Sequence, residues 1–132
     1  GVRVLPGKVE HSKVTPTSYF VLDDTVVYAP EIGSLSGLTR SFMERELVIA
    51  DGSSRNKDIV SSRGLKQHKS LENIIVWLNR IGVARALFTH LGHGSGLPHD
   101  ELEEWLQNFI RRHDLKIEGH IAFDSLKIKF RR

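Results

Sequence analysis

The chain has 132 residues, of which 39% are hydrophobic and 27% are charged, and it contains no cysteine. This composition predicts a single soluble globular domain over residues 1–132, and it excludes disulfides, thiolate metal sites and cysteine nucleophiles. The formal charge of +3 suits an anionic substrate such as a phosphodiester, and it also suits an ordinary basic surface. No apolar stretch approaches the roughly 20 residues that cross a bilayer, and the first residues lack the layout of a signal peptide, so we expect a cytoplasmic protein without membrane contact.

The first 30 residues predict short strands. Residues 2–11, with the sequence VRVLPGKVEH, alternate loosely around Pro6-Gly7, which indicates two strands joined by a turn. Residues 18–23 and 25–29 are rich in β-branched and aromatic side chains, and the spacing between them is that of an antiparallel hairpin. Pro30 ends the second strand of this hairpin and places Glu31 in a loop.

The middle of the chain combines a buried strand with a long polar segment. A short helix is predicted near residues 35–44. The apolar run at 46–52, ELVIADG, is typical of a buried strand that ends in polar residues. Residues 53–68 are polar, serine-rich and basic, so they predict a long loop, and loops of this length are often functional.

The remainder predicts two helices, each followed by a strand. Ser70 can cap a helix that ends before Gly82, because the apolar residues between them follow helical spacing. Residues 84–90 form the next predicted strand, Pro98 begins a second helix, and the tail predicts two closing strands. This order indicates an α/β domain with at least one βαβ crossover.

Several histidines lie at the ends of these elements. His90 ends a predicted buried strand, where sites form in open α/β sheets. His68 precedes a helix whose N-terminal N–H groups favour a bound anion. Imidazoles with one carboxylate suit zinc, manganese or iron, but the spacing alone also fits unrelated polar residues at loop edges. His99, His113 and His120 are interpreted as structural or solvated.

Five stretches of the sequence resemble one known family. They are VEHS before SYFVLDDTVVYAPE, then YAPEIG, ELVIADGSS, the long segment QHKSLENIIVWLNRIGVARALFTHLGH, and AFDSLKIKF. Together they resemble the C-terminal half of a metallo-β-lactamase-fold hydrolase, in the branch of the phosphoribosyl cyclic phosphodiesterases and tRNase Z-like enzymes. The resemblance covers nearly the whole chain in order and approximate spacing.

This resemblance implies a fold, a cofactor and a set of site residues. The fold would be half of an αββα sandwich, a mixed sheet with helices on one face. His11, Glu31 and His90 would hold a divalent metal, zinc first and manganese or iron as alternatives, and His68 would contact phosphate or transfer a proton. His93 lies close by in the sequence, and basic residues of the polar segment, Arg63 and Lys66 among them, would guide an anionic substrate or are simply solvated.

Two departures from the family pattern limit what this chain can do alone. Glu31 stands where the family has an aspartate, and the H-x-H-x-D-H motif of the first half of the fold is absent. We therefore expect a fragment or subunit of a phosphodiesterase-like or nuclease-like hydrolase, which needs the missing N-terminal half or a self-association partner. The alternative is a non-catalytic module that binds nucleic acid or serves in assembly.

Overall fold

The computed structural model describes residues 1–9, 17–64, 66–89, 91, 96–123, 126 and 128. The metal-ligand candidates His11 and His90 and the substrate candidate His93 lie outside these residues. No helix in the described part of the chain is both long enough and apolar enough to span a bilayer.

The chain folds around a six-stranded sheet. In chain order the elements are β1 Val4–Val9, β2 Thr17–Leu22, β3 Val26–Ala29, α1 Thr39–Phe42, β4 Leu47–Asp51, β5 Ile59–Val60, β6 Lys66–His68, α2 Leu71–Arg80, β7 Arg85–Thr89, α3 His99–Arg112 and β8 Glu118–Ile121. The strand order is β1-β2-β3-β4-β7-β8, with β5 and β6 in a separate hairpin. The first three strands are antiparallel and β3, β4, β7 and β8 are parallel, so the sheet is mixed and α2 and α3 serve as crossover helices.

The structure corrects some of the predicted elements. Residues 4–9 form one strand rather than two, because Pro6 is tolerated on an edge strand. The helix predicted near 35–44 is confined to Thr39–Phe42. The polar segment at 53–68 is not an open loop throughout, because it contains the β5–β6 hairpin. Of the two closing strands, the first is β8, and the second falls on residues that are only partly described.

The two longer helices cover one face of the sheet. Val27, Val48 and Phe88 point to this face and are fully buried. They share one apolar cluster with side chains that recur at helical spacing on α2 and α3: Leu71, Ile74, Ile75, Leu78, Leu102, Leu106 and Phe109. Ser70 caps α2 as predicted, because its hydroxyl accepts a hydrogen bond from Asn73 N.

The opposite face, which we call the open face, is covered by no helix of the described residues. It consists of Phe20, Leu22, Val26, Tyr28, Leu47, Ile49 and Leu87, which lie on one side of β2, β3, β4 and β7. Ala122, Leu126 and Ile128 pack against part of it, and a cleft of about 390 Å³ separates Leu47 and Leu87 from Phe123 and its neighbours. Phe20 and Tyr28 remain 38% and 40% exposed, so the described residues leave apolar surface uncovered here.

Side chains of α3 form hydrogen bonds with the outward-facing backbone groups of the edge strand β8. The backbone N–H of Glu118 donates to Ala84 O, just before β7, and that of Ala122 donates to Phe88 O on β7. Because backbone groups alternate along a strand, Gly119 and Ile121 direct theirs away from β7. Gln107 donates to Gly119 O, Ile121 N donates to Glu103, and the His99 ring donates to Ile121 O. These contacts occupy groups that could otherwise pair with a further strand.

We expect one stabilising contact at this edge to weaken as the pH rises. Burial alone would lower the pKa of His120, but Glu103 on α3, 2.7 Å away, and Glu118 on β8, 3.5 Å away, together raise it above the ordinary value. The contribution of His120 to stability is therefore complete below the unfolded-state pKa of about 6.5 and is lost as the pH rises through the folded-state value. Solvent screening limits it to a few tenths of a kcal/mol.

Urea unfolding of the wild type and of His120→Gln at pH 6.0 and pH 8.5 measures this effect. The difference in unfolding free energy between the two proteins should be larger at pH 6.0. The same substitution in a Glu103→Gln background serves as the control, because without this carboxylate the difference between the two pH values should shrink. A His120→Gln difference that is equal at both pH values would contradict the assignment.

Candidate active site

Three parallel strands end at the same edge of the sheet and bring polar residues there. Ala29 of β3 pairs with Ala50 of β4, and Asp51, the last residue of β4, pairs with Thr89, the last residue of β7. Glu31 follows β3 by two residues. The carboxyl ends of parallel strands are where sites form in α/β sheets, because loops with polar side chains meet there.

Asp51 is the centre of this arrangement. Its carboxylate is fully buried, and one oxygen accepts hydrogen bonds from Ile32 N at 2.8 Å and from His68 Nδ1 at 2.7 Å. The other oxygen accepts from the backbone N–H and the hydroxyl of Ser53. A buried carboxylate is tolerated only when such donors replace water, and here Asp51 serves as the hydrogen-bond acceptor for all four.

The contact with Asp51 fixes the His68 ring. A carboxylate can only accept, so Nδ1 carries the proton and, in the neutral ring, Nε2 carries the lone pair. The His68 side chain is 8% exposed, which leaves it little rotational freedom. The ring is therefore held in one orientation and one tautomer, as a residue that transfers a proton or contacts phosphate requires.

Backbone contacts draw the other strand ends toward Asp51. Ile32, next to Glu31, donates its N–H to Asp51 and accepts from Lys69 N at 2.5 Å. Gly52 N donates to Thr89 O at 2.7 Å, and Thr89 directly precedes His90. The structure thus brings His68 to the buried carboxylate of Asp51, and it places Glu31 next in sequence to a residue that bonds the same carboxylate. Within the described part of the chain, no three histidine, cysteine, aspartate or glutamate side chains form a group that could hold a metal ion.

The predicted anion site at the start of α2 is wrong. Leu71 N donates to Ser54 O and Glu72 N donates to Arg55 O, while Asp58 accepts from Ser70 N at 2.7 Å. Together with the Ser70 cap, these contacts use the N–H groups that an anion would need. Although burial opposes it, the hydrogen bonds from Ser70, Lys69 and Asn73 hold the pKa of Asp58 below its usual value. The N–H groups at the start of α2 are occupied because residues 53–58 fold back over it, which is a tertiary arrangement that the local sequence does not predict.

The basic residues in and next to the polar segment differ in exposure and in whether they form an ion pair. Arg63 and Lys66 are exposed on the β5–β6 hairpin, with Lys66 two residues from His68. Lys69 is paired with Asp58 at 3.1 Å. The apolar run at 46–52 predicts only the end of a strand and gives Asp51 no role. An aspartate that ends an apolar strand must find donors, but two of those for Asp51, Ile32 N and His68 Nδ1, lie 19 and 17 residues away in the sequence.

The comparisons with known proteins bear on the fold. No family model matches the chain, and no curated protein matches it. The crystal structure of a diphosphatase from the PhnP family superposes with a TM-score of 0.71 and 20% identity over 99% of this chain and 44% of its own length. The isothiocyanate hydrolase from Delia radicum gut bacteria superposes with a TM-score of 0.69 and 13% identity over 98% of this chain and 54% of its own.

The chain therefore spans about half the length of these two metallo-β-lactamase-fold structures. At such low identity the likeness establishes the fold alone. The expected architecture, with helices on one face of a mixed sheet, is confirmed. The chain has an α/β fold that corresponds to half of the αββα metallo-β-lactamase sandwich.

Proposed function

We propose that this chain carries part of the catalytic centre of a metal-dependent hydrolase that cleaves phosphodiesters, in the phosphoribosyl cyclic phosphodiesterase or tRNase Z-like branch of the fold. The observation that carries the proposal is the convergence of three strand ends on Asp51, which bonds His68 and the backbone of Ile32, the residue after Glu31. A diphosphatase among the similar structures supports a phosphate-containing substrate.

The metal would be held by His11, Glu31 and His90. Imidazole and carboxylate are the ligands that zinc takes in hydrolases, with manganese or iron as alternatives. When bound, such a metal acts as a Lewis acid and lowers the pKa of a bound water. Of the three residues, Glu31 is described, and its position after the end of β3, next to Ile32 whose N–H bonds Asp51, fits this donor set. Its side chain is one methylene longer than the aspartate of the family.

His68 would act on the substrate itself. Because Nδ1–H donates a hydrogen bond to Asp51, the Nε2 side of the ring can accept a proton or, when protonated, donate to a phosphate oxygen. Asp51 positions the ring through this hydrogen bond. His93, Arg63 and Lys66 would contact the substrate, and the exposure of the two basic residues supports a role in attracting an anion.

The site would be completed by a second half of the fold on the open face. Three observations support this partner: the uncovered apolar side chains Phe20 and Tyr28, the absence of H-x-H-x-D-H from the sequence, and the double length of the similar structures. Sheet-on-sheet packing is how such a face is buried in a sandwich. Self-association through the same face would give an assembly module instead.

Elemental analysis tests the proposal. The protein is purified without chelator from cells of its own source, under conditions that retain the second half of the fold as a partner or as part of the same chain, beside a His90→Ala variant expressed in the same way. We expect a near-stoichiometric divalent metal and hydrolysis of bis(p-nitrophenyl) phosphate in the wild type, and the loss of both in His90→Ala. Metal retained equally by both proteins would remove His90 from the ligand set, and a protein with neither metal nor hydrolysis would overturn the proposed function.

A further inference from the structure

Residues that follow β8 cover part of the open face. The structure describes four of them, which together we call the strap: Ala122, Phe123, Leu126 and Ile128. All but Phe123 pack against the apolar cluster that β3, β4 and β7 form on the open face. Phe20 on β2 and Tyr28 on β3 stay 38% and 40% exposed. The open face therefore has a part that the strap covers and a part that is bare among the described residues.

The start of the strap is joined to the rest of the domain by directed contacts. Ala122 N donates to Phe88 O on β7 at 2.8 Å. The ring of His99, the first residue of α3, donates to Ile121 O at 3.2 Å and lies edge-on to the Phe123 ring, with 5.6 Å between the centroids. Residues 121–123 are therefore anchored both to the sheet and to α3.

The end of the strap is held by apolar contacts instead. Leu126 and Ile128 are only partly buried, and in the described part of the chain no hydrogen bond joins either of them to a strand of the sheet. Both border the cleft of about 390 Å³ that Leu47 and Leu87 also border. Side chains that border a cleft lack some of the contacts that a close-packed core provides. The end of the strap is thus held less firmly than its start.

A second sheet on the open face would compete with the strap. Two packed sheets lie about 10 Å apart, and their inner side chains interdigitate across that gap. A further segment of chain has no room between two sheets at this spacing. The covered part of the open face can therefore hold the strap or a partner sheet, but not both.

We propose that the strap is an autoinhibitory contact, whose end moves off the open face when the second half of the fold packs there. The identity of this partner rests on the proposed function. Residues 121–123 stay anchored and act as the hinge. The apparent affinity for a partner scales with the fraction of molecules in which the strap is open. In the isolated chain the strap covers apolar surface that would otherwise promote self-association.

Self-association of the 132-residue chain measures how available the open face is. Leu126→Ala/Ile128→Ala removes the apolar contacts of the strap. We expect this variant to bind more of the dye ANS, a probe of exposed apolar surface, and to dimerise in sedimentation with a dissociation constant at least about tenfold lower. The matched control Val60→Ala/Val76→Ala, at exposed positions on β5 and α2, should change neither quantity. Adding Phe20→Ala to the strap variant should reverse the gain.

The direction of the change decides between the outcomes. Weaker association of the strap variant would overturn the proposal, because the strap would then itself be the contact between molecules. Dye binding or association that does not exceed that of the control would overturn it too. Stronger association in a protein that neither holds metal nor hydrolyses diesters would overturn the proposed hydrolysis and leave the strap as a block to self-association. No gain in association, in a protein that holds metal and hydrolyses diesters, would overturn the strap alone.

Discussion

Replacing Asp51 with asparagine should lower the free energy of unfolding by about 2–4 kcal/mol. Each carboxylate oxygen of Asp51 accepts one backbone N–H, from Ile32 or from Ser53, in addition to a side-chain donor. An asparagine amide replaces one of these oxygens by an NH₂ group, so in either orientation a donor faces a buried backbone donor. The substitution keeps the shape of the side chain, and the loss therefore measures hydrogen bonding rather than packing.

Urea unfolding of Asp51→Asn and of Asp114→Asn separates this effect from a general change of charge. Asp114 is exposed and has a φ of 51°, a conformation that asparagine tolerates well, so the control should be unchanged within a few tenths of a kcal/mol. The His68 ring provides a second readout, because long-range ¹H–¹⁵N spectra report its tautomer. A stable Asp51→Asn protein with the wild-type His68 tautomer would show that Asp51 does not organise the site.

The elements that could be predicted from the sequence are those with strong local signals. The β2–β3 hairpin, β4, β7 and the two long helices follow from alternation, helical spacing and the Ser70 cap. The sequence predicts two strands where the structure has β1 alone, because Pro6-Gly7 has the sequence of a turn. The structure requires Gly7 for a tertiary reason: a Cβ there would lie 2.1 Å from the Tyr19 ring, which crosses this edge strand.

The position of the candidate site could be predicted from the sequence, but the hydrogen bonds that hold it together could not. Placing Glu31 and His90 at strand ends requires only the order of strands in a parallel sheet. That Asp51 binds His68, 17 residues away, depends on how residues 53–67 fold, and their composition predicts only a loop. The same fold fills the N-terminus of α2 with Asp58 and with carbonyl groups. The local sequence predicts an anion site at that helix end, but tertiary contacts use the N–H groups that an anion would need.

The second large effect is expected at Gly52, where β4 and β7 meet at the site. Gly52 N donates to Thr89 O, and a Cβ at this position would lie 2.9 Å from that same oxygen and 2.9 Å from Leu91 Cδ2. A backbone oxygen cannot rotate away, so Gly52→Ala must push the end of β7 from the end of β4. We expect a loss of about 1–3 kcal/mol in unfolding free energy, as for other overpacked positions.

The hydrogen bond between Gly52 N and Thr89 O lies between residues of the proposed site, so breaking it should affect function. Asp51 precedes Gly52 and His90 follows Thr89, so separating the two strand ends separates a positioning residue from a proposed metal ligand. Gly37→Ala is the control, because its φ of 76° costs about 1 kcal/mol while a methyl group there meets nothing within 4 Å. Metal content and diester hydrolysis should fall by at least about tenfold in Gly52→Ala and stay unchanged in Gly37→Ala. If Gly52→Ala lost stability but kept full metal content and activity, the β4–β7 junction would be part of the scaffold, and the reacting centre would have to lie elsewhere.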